Sequence, residues 1–189
     1  MNDYFEINLR EHIEAFQQLE NCKSGVSVAV DMIVDALAVG RKILFCGNGG
    51  SAADCQHIAA EFTGRFTKDR RPLAGLALTT DTSALTCIAN DYDFTKVFSR
   101  QILALGQPGD VLVGISTSGM SANISDAIST AKNAGLRTIG LLGKDGGTIK
   151  SICDHSIIVP SNVTARIQEA HIFVGHVICG AVEQKLGLV

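Results

Sequence analysis

Phe45-Cys46-Gly47-Asn48-Gly49-Gly50-Ser51-Ala52-Ala53-Asp54-Cys55-Gln56-His57-Ile58-Ala59-Ala60-Glu61 is the stretch whose reading decides the fold. An apolar run, Ile43 to Cys46, ends in a glycine-rich turn and passes directly into a helical pattern. At such a junction backbone N–H groups and the positive end of a helix converge where an anion could sit. His57 and Glu61, four residues apart, share one face of that helix just beyond the turn. The stretch therefore predicts half of a phosphate-sugar site with a catalytic pair beside it.

Working outward, four more short apolar runs follow: Ala74 to Leu78, Val111 to Ile115, Thr138 to Leu142 and Ser156 to Val159. They are rich in β-branched residues, nearly continuous rather than alternating, and separated by helix-length segments, which is the pattern of a parallel sheet covered on both faces. The fold class is α/β, a three-layer αβα sandwich on a five-stranded parallel sheet. Ligands of such sheets bind beyond the carboxyl ends of the strands. Upstream, Phe5, Leu9, Ile13 and Phe16 recur at helical spacing, predicting an amphipathic helix over 3–20. A second helix runs from Ser24, with Val26, Val30, Ile33 and Leu37 as its stripe, and stops at Gly40. Residues 1–40 thus read as a helical hairpin appended to a single domain of 1–189, packing either against a second subunit or on its own domain. A last helix, Thr164 to Leu186, closes the fold.

Composition narrows the function. The 189 residues carry 46% hydrophobic content and a formal net charge of -3 with no block of like charge, which argues against nucleic acid and against a basic membrane face. Six scattered cysteines without a C-x-x-C pattern, and an amino terminus without a basic-then-apolar leader, fit a soluble cytoplasmic protein with reduced thiols. Cys46 and Cys55 flank the glycine loop as core fillers.

Ser116-Thr117-Ser118-Gly119-Met120-Ser121 follows a buried strand and opens a helix. One hydroxyl there would be a helix cap; four around a glycine at a strand end favour a phosphate cradle. No G-K-[ST] follows, and Ala52 stands where a dinucleotide-binding fold needs its third glycine, so neither nucleotide signature is met. His12 and His155 carry no surrounding pattern and read as solvent-facing. Arg65, four residues after Glu61, reads as its ion-pair partner.

Gly47-Asn48-Gly49-Gly50-Ser51-Ala52, Asn90-Asp91, Gly114-Ile115-Ser116-Thr117-Ser118-Gly119, Gly143-Lys144-Asp145-Gly146-Gly147 and Ala165-Arg166-Ile167-Gln168-Glu169, in this order, resemble the sugar isomerase (SIS) domain family, and within it the bacterial phosphoheptose isomerases. The resemblance implies an enzyme that converts D-sedoheptulose 7-phosphate to D-glycero-D-manno-heptose 7-phosphate, the first step of heptose synthesis for the bacterial envelope. It implies a homotetramer with sites between subunits. Substrate contacts fall at Asn48, Gly49, Gly50, Ser51, Asn90, Asp91, Ser116, Thr117, Ser118, Ser121 and Gln168. Glu61, also a substrate contact, and His176 match the family's acid-base pair. One Zn2+ per subunit is implied, with His57, Glu61, Gln168 and His176 as ligands. The sequence departs from the family at Met120 and Ala165, where members often carry polar residues.

Part of that ligand set is physically comfortable. His57 and Glu61 bind one metal from one helix face. Gln168 and His176 stand eight residues apart, about 12 Å of helix, so they share an ion only if it lies between them, if Gln168 precedes regular helix, or if subunits share the task. His171, one turn from Gln168, is a substitute ligand. Aldose-ketose isomerisation moves a proton between adjacent carbons through an enediolate. Glu61 suits the carbon base and His176 the oxygens, with the roles exchangeable. The competing reading is a non-catalytic SIS-type protein that senses sugar phosphate or binds a replication initiator, which needs the phosphate loop and no acid-base pair.

Overall fold

The computed structural model describes residues 2–189, and each of the five apolar runs is a strand: β1 (Ile43–Gly47), β2 (Gly75–Ala77), β3 (Val111–Ser116), β4 (Arg137–Gly143) and β5 (His155–Val159). They form one parallel sheet in the order β2-β1-β3-β4-β5. Because β1 connects outward to β2 while β3 leads to β4 and β5, the order reverses between β1 and β3, and the crevice for a ligand opens there.

Helices cover both faces. Ile43 and Phe45 point to α2 (Lys23–Ala38), α3 (Gly50–Thr63) and α8 (Thr164–Lys185), while Leu44 and Cys46 point to the side of α5 (Ser99–Leu105), α6 (Ala122–Asn133) and α7 (Ile149–Ile152). This is why the strands read as continuous apolar runs: alternate side chains enter different cores, each stabilised by roughly 1.5–3 kcal/mol on full burial. Cys46 and Cys55 are buried in these cores and their thiols are pushed up by desolvation, as expected of fillers.

Helix α1 (Asn2–Gln18) lies along α8, joined by a polar cluster. Arg166 donates to Glu169 and to both the carbonyl and side-chain oxygens of Asn8, and His12 Nδ1 lies 2.8 Å from Glu169. The imidazole of His12 also stacks on Phe16. The expectation that His12 faces solvent is therefore corrected, as is that for His155, whose Nε2 lies 2.7 Å from the Gly25 carbonyl. The predicted apolar stripe of α1 is only partly covered: Phe5, Leu9 and Ile13 are 68%, 46% and 47% exposed.

Candidate active site

The β1 loop turns sharply. Gly49 has φ +56, a conformation that favours glycine, and a Cβ at Gly47 would meet the Ser51 carbonyl. Ser51 is buried, with its N–H on the Asn48 carbonyl. Across the crevice, Asn48 and Asn123 exchange two amide hydrogen bonds of 2.8 Å, tying the glycine loop to the first turn of α6. Sequence reading missed Asn123, which sits two residues beyond the serine loop and carried no motif of its own.

In the serine loop the hydroxyls bond within the turn rather than cap the helix. Ser116 Oγ accepts from Gly119 N–H and Ser118 Oγ from Met120 N–H, so two hydroxyls shape the turn. Ser121, the N-cap of α6, makes no side-chain cap bond and instead pairs with Ser116 at 3.0 Å. The first N–H groups of α6 thus receive no side-chain cap from Ser121. The β4 loop supports this turn from behind: Gly119 (φ +65) packs against the backbone of Gly146 and Gly147, and its carbonyl accepts from Ile149 N–H. Met120 is exposed, and its sulfur accepts from Thr148 N–H.

Asn90 and Asp91 end α4 (Thr82–Asp91), a helix with no buried residue. Asn90 donates to Asp91, lowering its carboxyl, and both are exposed.

Helices α3 and α8 run side by side, and their facing side chains converge. His57 Nε2 is 3.2 Å from Glu61 Oε1 and 3.4 Å from His176 Nε2. All three donor atoms lie within 4.8 Å of one another. Two imidazoles and a carboxylate are a fitting donor set for zinc that leaves a coordination position open. The exposures of His57 and Glu61, 50% and 23%, leave the group reachable from solvent.

Gln168 is not part of this group within the chain, against the four-ligand expectation. It lies two turns of α8 before His176 and packs on Gly50, where any side chain would collide with its amide. His171 is no substitute: it is fully buried, its Nε2 is 3.0 Å from the Leu142 carbonyl, and burial pushes it down to about 4, so it stays neutral. Arg65 forms no ion pair with Glu61, because α3 ends at Thr63 and the chain leaves the helical face at Gly64.

Two supports were illegible in sequence. Arg70 and Glu183, with side chains 2% and 1% exposed, form a buried ion pair of 2.7 Å. Arg70 also donates to the carbonyls of Glu61, Phe62 and Gly64, capping α3, while Glu183 accepts from Phe66 N–H and Thr67 Oγ1. Burial opposes ionisation of Glu183, but these donors outweigh it and hold the carboxyl low. Asp54, one turn before His57, has a buried Oδ2 without a hydrogen-bond partner; burial raises its carboxyl and His57 draws it back.

Residues 5–143 match the SIS domain family. A phosphoheptose isomerase of Nitratiruptor sp. is 52% identical over 186 residues, covering 98% of this chain and 100% of that protein. One from Clostridium acetobutylicum is 49% identical, covering 98% and 96%. The solved phosphoheptose isomerase of Neisseria gonorrhoeae superposes with a TM-score of 0.92 at 46% identity, over 97% of this chain and 98% of that one. No described helix is long and apolar enough to cross a membrane. Fold, loop geometry and full-length similarity agree: the chain belongs to the SIS domain family, among its phosphoheptose isomerases.

Proposed function

We propose that the chain converts D-sedoheptulose 7-phosphate to D-glycero-D-manno-heptose 7-phosphate through an enediolate, opening ADP- or GDP-heptose synthesis. The observation that carries this reading is the meeting of Glu61 and His176, from separate helices, in one solvent-reachable group. A phosphate-binding protein without chemistry has no need of that meeting.

The phosphate is held by Ser116, Thr117, Ser118 and Ser121 at the start of α6, with Asn48, Gly49, Gly50 and Ser51 completing the wall and Asn90 and Asp91 reaching sugar hydroxyls. Anchoring the phosphate fixes the reacting carbons relative to the catalytic groups. Glu61 removes a proton from C1 of the ketose and returns one to C2. His176 gives a proton to O2 and takes the proton on O1, so charge on the oxygens stays low. His57, Glu61 and His176 would hold a zinc ion, which would supply Lewis-acid polarisation of the carbonyl in place of the proton from His176, since an Nε2 bound to the metal carries none to give. A carboxylate has two oxygens, so Glu61 keeps one for the base role.

From Gly50 to Glu61 is 61 minus 50, or 11, residues of α3, about 16 Å at 1.5 Å per residue. That exceeds an extended seven-carbon sugar phosphate. Each site therefore joins the phosphate cradle of one subunit to the Glu61–His176 pair of another, in a homotetramer whose contacts use residues 1–40, and Gln168 completes a neighbouring subunit's metal set. The exposed stripe of α1 and the exposed Phe173 and Val177 flanking His176 support such packing.

Incubation with sedoheptulose 7-phosphate, followed by NMR, should show the aldose 7-phosphate. Glu61→Gln and His176→Gln should each lower kcat by about 10²–10⁴-fold while the fold persists; equal turnover in either variant removes that residue from the chemistry.

A further inference from the structure

His176 touches more than its ligand partners. The ring of Phe66 stacks on the His176 imidazole, with centroids 5.5 Å apart and planes at 28°, while His57 makes a T-shaped contact with the same imidazole at 5.0 Å. Phe66 lies beyond the end of α3, in the segment leading to β2, where nothing local would hold an aromatic ring. Two features hold it. Its N–H donates to Glu183, whose carboxylate is locked by Arg70, and Arg70 in turn donates to the carbonyl of Glu61. Its ring also lies over Gly180, one turn beyond His176, where an added Cβ would come within 3.3 Å of the ring edge. A side chain at Gly180 would crowd the ring where it lies on His176.

We propose that Phe66 is a positioning residue for His176: stacked from the α3–β2 segment, it fixes the imidazole so that Nε2 faces His57 and Glu61. The buried Arg70–Glu183 pair sets the distance between the two helices by holding the backbones of Glu61 and Phe66 to α8. An imidazole free to rotate about its side-chain bonds would present Nε2 to the group only part of the time. The inference rests on His176 serving the site proposed above. A ring that merely fills the core would leave the imidazole's behaviour unchanged on replacement by leucine.

The test uses the full-length protein with 13C-labelled histidine, the His176 signals being assigned by their loss in His176→Gln. In the wild type the carbon-bound ring protons of His176 should be displaced by the ring current of Phe66. That displacement should vanish in Phe66→Leu and persist in Phe66→Tyr. Stripped of metal and titrated with zinc, Phe66→Leu should bind it about 10–100-fold more weakly, the range for loss of a group that orients a ligand. Its kcat should fall by a similar factor with KM within about twofold, and Phe66→Tyr should restore both. Wild-type protons without ring-current displacement, or a folded Phe66→Leu with wild-type zinc affinity and kcat, would overturn the proposal. Where the leucine variant fails to fold, Phe66→Met takes its place in the zinc titration and kinetics, and wild-type zinc affinity and kcat in that variant would equally overturn the proposal. A wild type that isomerises nothing would instead strike the functional reading, and the spectrum and zinc titration would still judge Phe66.

Discussion

At the residue scale, the two most consequential side chains outside the proposed catalytic pair are Arg70 and Glu183. Removing one partner of a buried ion pair leaves an uncompensated charge, so Arg70→Met should lower the stability measured by urea unfolding by roughly 3–5 kcal/mol. The same pair predicts an acid limit. Glu183 is held below its ordinary range when folded, so below about pH 4.3 the unfolded chain takes up a proton that the folded chain refuses. Stability present above that pH is lost as pH falls through the lower folded value. His171 adds to the loss from the other direction: neutral when folded down to about 4, it protonates on unfolding once pH drops below about 6.5. Urea midpoints taken between about pH 7 and pH 3 should decline throughout, and Glu183→Gln should flatten the acid end. His57 and Glu61 were readable because they fall at helical spacing beside a glycine loop, whereas His176 came only with the family resemblance. Arg70 and Glu183 were not readable, since they are 113 residues apart and only the packing of α8 on the end of α3 joins them.

At the scale of elements, the strand ends and the helix starts were legible because periodicity and glycine report backbone directly. The β4 loop is an example of what periodicity leaves out. It entered the sequence reading only as one of the motifs that carry the family resemblance, and its Gly146 and Gly147 support Gly119 from behind. Gly119→Ala combines a positive φ with a collision against the Gly146 backbone, so it should displace the serine loop. The expected result is a loss of about 1–3 kcal/mol in stability together with weaker binding of inorganic phosphate, measured by calorimetry. Ser121→Ala, which removes one hydroxyl and leaves the turn formed by Ser116 and Ser118, should keep stability and raise KM about tenfold, the effect of one lost hydrogen bond of about 1.4 kcal/mol.

For the molecule as a whole, the hairpin and the site belong to one account. The stripe of α1, with Phe5, Leu9 and Ile13 largely exposed, lies on the same side as α8, the helix that carries His176. If subunits complete one another's sites, Ile13→Glu should yield a folded species of lower mass in sedimentation, and its turnover should fall with its assembly. Sequence alone left the hairpin's partner open, because an amphipathic stripe says that something covers it and not what. The most direct test of the central claim is isomerisation of sedoheptulose 7-phosphate in D2O. An enediolate formed by Glu61 exchanges its proton with solvent, so the aldose should carry deuterium at C2, and both product and deuterium should disappear in Glu61→Gln. Aldose formed at full rate without solvent deuterium, or turnover undiminished in Glu61→Gln, would contradict it.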